Sequence, residues 1–261
     1  MLRMMLEQAS HRLVIRRKLP DPFSQARIYA STEGGLRYLR PRASGIDPIL
    51  LGLAAELIKP GQTVWDIGAN VGLFSFAAAA AAGLQGFVLA VEPDARLVSL
   101  LRRSAAANPG LAAIDVLGTA VADQVGVARF HVARRNRSTS HLAGYGYSQS
   151  GGTRSVEVVP TVTLDWLAER FPLPDVIKID VEEAEMLVLS GGSRVLTHGA
   201  SVICEVSGNN SEAARDLLRQ HGYELYDGDE QGATRIALAT APPNTLALHP
   251  SHPQRSLAVS H

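Results

Sequence analysis

Val64-Trp65-Asp66-Ile67-Gly68-Ala69-Asn70-Val71-Gly72 is the stretch on which the reading of this chain turns. An apolar run enters it at Thr63, two glycines punctuate it, and an alanine-rich run, Phe74–Ala82, leaves it. That is the order strand, tight turn, helix. Glycine adopts backbone conformations closed to other residues, so it suits a sharp turn that a ligand must approach closely. In open α/β sheets, ligands sit beyond the carboxyl ends of the strands, where the strand order reverses. The turn departs from the dinucleotide fingerprint G-x-G-x-x-G. With Gly68 set as the second glycine, Asp66 occupies the place of the first. A carboxylate there repels a pyrophosphate and suits a ligand with an ammonium group and no phosphate. A helix-capping turn without a ligand is the plain alternative.

Working outward, Glu92 lies 20 residues beyond Gly72 and ends the next apolar run, with Pro93 directly after it. An acid at that separation can accept both ribose hydroxyls of an adenosine. A ligand with an adenosine, an amino acid portion and no phosphate is S-adenosylmethionine. The third strand is followed by Thr119–Asp123, where Asp123 would accept from the adenine amino group, or simply end a turn before Gly126. The expected cofactor contacts are therefore Asp66, Gly68, Ala69, Asn70, Gly72, Glu92 and Asp123, with Asp180 added below.

The rest of the chain supplies the frame. Strands are expected at Thr63–Gly68, Phe87–Glu92, Ala113–Leu117, Asp175–Val181, Ser201–Val206, Tyr223–Tyr226 and Ala233–Ala239. Helices are expected at Ile49–Ile58, Phe74–Ala82, Ala95–Ala107, Leu164–Arg170, Glu183–Ser190 and Ser211–His221. Such alternation predicts a largely parallel sheet with helices on both faces. The last two strands have no helix between them, so one of them runs antiparallel. Val127–Val132 and Val156–Val162 alternate apolar and polar residues, and predict an antiparallel pair around a polar loop, Asn136–Gly152. Residues 1–60 read as an N-terminal extension or cap, 61–240 as the ligand-binding domain, and 241–261, without periodicity, as a disordered tail.

Bulk composition narrows the classes. Lys+Arg and Asp+Glu each number 25 in 261 residues, so no overall positive field attracts nucleic acid, and none is expected as a partner. The lone cysteine, Cys204, forms neither an intramolecular disulfide nor a cysteine-based zinc site, and fits a reducing cytoplasm. The longest apolar stretch, Val71–Val91, is mostly alanine in its middle and is broken by Gly83, Gln85 and Gly86. It reads as helix then strand, not as a membrane span. The oligomeric state is left open, a homodimer among the options.

The glycine turn, together with Ile177-Lys178-Ile179-Asp180-Val181-Glu182-Glu183-Ala184-Glu185, makes the chain resemble the FkbM family of methyltransferases over about Asp47–Gly228. Glu183 stands where that family's motif carries glycine. The resemblance implies a class I methyltransferase fold: a Rossmann-like, mostly parallel seven-stranded sheet with an inserted β-hairpin. It also implies S-adenosylmethionine as cofactor, Glu92 at the ribose, Asp180 at the mouth of the fourth main strand, and O-methylation of a small hydroxylated acceptor such as a sugar or polyketide.

An alcohol is a poor nucleophile while protonated, so a general base is expected near the methyl group. Asp180 is the first candidate, since it follows the apolar strand Val176–Ile179; Glu205 ends the next strand on the same rim. Lys178, two positions before Asp180, would pair with a carboxylate. His141, in the polar loop, has the right chemistry for base work, though a solvated loop histidine is the plainer reading. Asp180, Glu205 and Asn209 offer oxygens suited to magnesium, but spacing does not show that they converge, and no metal is assigned. The strand end Ile179-Asp180-Val181-Glu182 lacks the Asn/Asp-Pro-Pro-aromatic pattern of many N-methylating enzymes of nucleic acids. N-methylation, and a binding module on a degenerate methyltransferase fold, are the alternatives. A nicotinamide oxidoreductase is disfavoured by Asp66.

Overall fold

In a computed structural model, residues 14–31, 47–134, 137–145, 152–230 and 235–250 are described. The strands β3 (Thr63–Ile67), β4 (Phe87–Val91), β5 (Ala113–Leu117), β10 (Val176–Ile179), β11 (Ser201–Glu205), β12 (Glu224–Asp227) and β13 (Asn244–Leu248) form one sheet. Their order is β12-β13-β11-β10-β3-β4-β5. From β11 to β5 the strands are parallel, while β13 runs antiparallel to both β11 and β12. The chain proceeds outward from β3 through β4 to β5, then returns to β10 on the other side. The carboxyl ends of β3 and β10 therefore flank the switch point where such sheets bind ligands.

Alternation along each strand divides the core in two. Val64, Val88, Ala90 and Val176 face one layer, built with α1 (Pro48–Leu57), α2 (Leu73–Ala82) and α3 (Ala95–Ala106). Trp65, Ile67, Leu89, Val91, Ile177 and Ile179 face the other, which includes Leu164, Val188, Leu196 and Leu218. The latter come from α4 (Leu164–Ala168), α5 (Glu185–Ser190), α6 (Ser193–His198) and α7 (Ser211–Gln220). Leu97, Leu100 and Leu101 of α3 are all buried, as the helical spacing predicts.

The N-terminal extension is bound onto the core. Strands β1 (Val14–Lys18) and β2 (Arg27–Ser31) form an antiparallel pair. Backbone N–H groups of Arg27 and Tyr29 donate to Asn108 Oδ1 and Ser104 Oγ at 2.9 and 2.8 Å. The Arg103 guanidinium lies 3.9 Å from the Tyr29 ring centroid. The inserted pair is a small second sheet of β6 (Ala120–Val121), β9 (Thr153–Val162), β7 (Gly126–Ala133) and β8 (His141–Leu142). The segment read as a loop thus contains a 3-10 turn, Arg137–Thr139, and the strand β8 paired to β7; residues 136 and 146–151 of it lie outside the described residues.

Two sequence expectations are corrected. The final strand is Asn244–Leu248, inside the stretch read as a tail, and the described part of Ala233–Ala239 forms no strand. Reversing direction between β11 and β12, the Asn244–Leu248 strand buries Leu246 and Ala247 completely. Residues 251–261 lie outside the described residues. The helix expected from Glu183 begins at Glu185, because Glu182 and Glu183 take left-handed backbone conformations, with φ 49° and 71°. Among the described residues, no helix is long and apolar enough to cross a membrane.

Candidate active site

Beyond the carboxyl ends of β3, β4 and β10 lies a cavity of about 620 Å³. The turn after β3 forms one wall. The N–H groups of Gly68 and Ala69 both donate to the Val91 carbonyl, at 2.9 and 3.0 Å, folding the turn over the end of β4. Gly68 has φ 77°, and a side-chain carbon there would overlap the carbonyl oxygen of Asp180. Only glycine meets both conditions.

The parallel register explains the polar group beneath this turn. It sets Lys178 of β10 directly beside Asp66 of β3, both on the face otherwise filled by apolar side chains. Burying a lone charge is prohibitive, so the two must pair. Lys178 Nζ lies 3.2 Å from Asp66 Oδ1 and 3.3 Å from Asp180 Oδ2, and donates to the Gly68 carbonyl at 2.8 Å. Burial works against the Lys178 charge, yet Asp180 and Asp66 outweigh it and hold its pKa above the usual lysine range. Asp66 also accepts from Ser75 Oγ of α2 at 2.5 Å. Asp66 is fully buried and does not line the cavity: it holds the turn and Lys178.

Glu92 does line the cavity. It accepts from the N–H groups of Asn70 and Asp94, both at 2.9 Å. Burial pushes its carboxyl up to about 7, against those two hydrogen bonds. Beside it, Asn70 Oδ1 is buried with no hydrogen-bond partner among the described residues. A buried carboxylate next to an orphaned amide oxygen calls for donors from a ligand. The two ribose hydroxyls and the ammonium of S-adenosylmethionine are such donors, so the residues present fit that cofactor.

Asp180, Glu182 and Glu205 line the same cavity. The neighbouring Asp180 charge, then partial burial, raises the Glu205 carboxyl to about 7. Burial first, then Asp180 and Glu205, raises Glu182 to about 8. Glu182 and Glu205 exchange protons near neutrality, where a general base works best. His141 also lines the cavity and is buried; its Nδ1 lies 3.2 Å from the Thr139 carbonyl, and its ring centroid is 5.4 Å from that of His131.

Not every expected residue arrives there. Gly72 starts α2 and is absent from the lining. Asp123 is exposed and lies outside the lining, which takes Thr119, Ala120 and Val121 from that segment instead. Glu185, three positions after Glu182, is turned into the protein and accepts from Glu183 N–H and Asn210 Nδ2, at 2.8 and 2.9 Å. Asn209 is exposed and outside the lining. Lining residues that sequence reasoning passed over include Asp47, Phe130, Arg137, Leu142 and Asn244. Phe130 alternates with Val132 on one face of β7 and was legible as inward-facing from that period. Nothing local marks the other four.

The methyltransferase FkbM domain matches residues 66–225. The AMB antimetabolite synthetase AmbE of Pseudomonas aeruginosa is 28% identical over 221 residues, covering 65% of this chain and 10% of that protein. This chain thus spans about a tenth of that relative's length. Among solved structures, an S-adenosylmethionine-dependent methyltransferase from Agrobacterium tumefaciens aligns over 91% of this chain and 70% of its own, at 10% identity and TM-score 0.43. Fibrillarin of Aeropyrum pernix with natively bound S-adenosyl-L-methionine aligns over 90% and 98%, at 11% identity and TM-score 0.41. With the family domain matched across the glycine turn, the acid-lined cavity and the sheet that frames them, this chain belongs to the FkbM family of S-adenosylmethionine-dependent methyltransferases.

Proposed function

We propose that the domain methylates a hydroxyl oxygen of a small, hydroxyl-rich acceptor such as a sugar or polyketide. The observation that carries this reading is Glu205, a carboxyl raised to about 7 by the neighbouring Asp180 charge, in the same cavity as Glu92 and Asn70. The bound cofactor supplies an electrophilic methyl group on a sulfonium. The chain supplies position and proton chemistry. Glu92 takes the ribose hydroxyls, Asn70 Oδ1 takes an ammonium hydrogen, and the backbone of Gly68 and Ala69 shapes the floor. Asp66 and Gly72 support that floor from beneath. Asp180, fixed by Lys178, holds the acceptor hydroxyl, and deprotonated Glu205 receives its proton. His141 closes the wall and is the second candidate for the base. The lone, buried Cys204 is consistent with a cytoplasmic setting, which we also propose.

The test is Glu205→Gln assayed with labelled cofactor over a panel of hydroxylated acceptors. The expected result is a fall of roughly 10²–10⁴ in kcat with cofactor affinity kept. The wild-type rate should climb with pH through about 7, as Glu205 loses its proton. Full activity in Glu205→Gln rejects the base assignment. A product carrying the new methyl on nitrogen rejects the acceptor class.

A further inference from the structure

Arg137 belongs to the inserted sheet, in the short turn between β7 and β8, yet its charge is spent on the core. Its Nη1 lies 2.5 Å from Asp94 Oδ2, and the side chains are only 11% and 1% exposed. Asp94 is committed at every end. Its Oδ1 caps α3 by accepting from Arg96 and Leu97 N–H, at 2.9 and 3.3 Å. Its own N–H donates to Glu92 Oε1 at 2.9 Å. A continuous chain of contacts therefore runs from Arg137 through Asp94 to Glu92, and Arg137 and Glu92 line the same cavity.

We propose that Arg137 is a positioning residue for the cofactor: by holding Asp94 it fixes the N–H that clamps Glu92, and it offsets the Asp94 charge beside Glu92. The inference rests on the reading that Glu92 binds the ribose. Two charged groups act on Glu92: Asp94, which opposes its ionisation, and Lys178 of β10, which favours it. Offsetting the Asp94 charge adds to what already favours the Glu92 carboxylate, the Asp94 and Asn70 N–H groups and Lys178, and the inserted sheet provides it. A buried ion pair that loses one member leaves the other charge uncompensated, so the effect of removing Arg137 exceeds the loss of a contact.

Calorimetric titration of the full chain with S-adenosylmethionine, from pH 6 to 9, tests this. Arg137→Met should weaken binding roughly tenfold and move the pH of half-maximal affinity upward, because Asp94 then bears directly on Glu92. Arg137→Lys should recover most of the affinity. Asp94→Asn keeps a helix-capping side chain but leaves the Arg137 charge unopposed, so its midpoint should move downward. Opposite shifts in the two variants are the signature, and a purely architectural link between the sheets does not produce them. Wild-type affinity and midpoint in Arg137→Met overturn the proposal, as do equal losses in both variants without any midpoint movement. If Arg137→Met does not fold, Arg137→Gln, which keeps a polar side chain beside Asp94 without the charge, is read in the same way. Glu92→Ala separates the two layers. Unchanged affinity there rejects the ribose assignment itself, whereas a weakened Glu92→Ala beside a normal Arg137→Met rejects only the role of Arg137.

Discussion

At the residue scale, Glu183 stands where the family motif carries glycine, and its φ of 71° gives the reason for that preference. For a residue with a Cβ this region costs roughly 1–2 kcal/mol. Neighbouring bonds pin the conformation: the Glu183 N–H donates to Glu185 Oε1 at 2.8 Å, and its carbonyl accepts from Asn210 Nδ2 at 3.2 Å. Both involve backbone atoms and survive side-chain removal. Glu183→Gly should therefore raise stability by about 1 kcal/mol, net of the entropy glycine adds to the unfolded chain. Urea denaturation checks this; a drop in midpoint would show that the side chain's own contacts outweigh the backbone strain.

At the scale of elements, β13 has the largest consequence. It lies between β11 and β12, with Leu246 paired to Ile203 on one side and Tyr226 on the other. Leu246 is fully buried. Leu246→Ala should cost about 3 kcal/mol, through lost burial and the cavity left behind. A disordered tail would show no change in the same urea titration. The element also reaches the site, since Asn244, its first residue, lines the cavity. Short apolar stretches with a proline-bearing approach are ambiguous from sequence, and Ala233–Ala239 carried an equally good local pattern. Pairing partners on both sides select Asn244–Leu248, and such partners are non-local.

At the scale of the whole molecule, the cavity concentrates acid. Glu92 and Glu205 are raised to about 7 and Glu182 to about 8, from an ordinary carboxyl value of 4.5. Between about pH 4.5 and 8 the folded chain holds protons at these groups that the unfolded chain has released. Stability from this source is present at the low end of that window and is lost as pH rises through it. The melting temperature of the cofactor-free chain should accordingly fall from pH 5 to pH 8 and then level off. With saturating S-adenosylmethionine the melting temperature should rise overall, and the fall with pH should shrink as Glu92 gains hydrogen-bond donors. Differential scanning calorimetry at four pH values reads both effects; a melting temperature that climbs through this window contradicts the charge arrangement.

The strand–turn–helix around Gly68, the parallel α/β class, the antiparallel insert and the acids Glu92, Asp180 and Glu205, gathered at one cavity, are all legible from residue order. These follow from glycine geometry, apolar periodicity and strand ends, all of which act within a few residues. The tertiary structure alone decided that Asp66 is a buried partner of Lys178, that Asp123 faces solvent, that Glu185 turns inward, and that Arg137 reaches across to Asp94. Each of those depends on strand register, helix onset or contact between segments far apart in the chain. Local patterns give a side chain's face on its own element, but not which neighbour will be there to meet its charge.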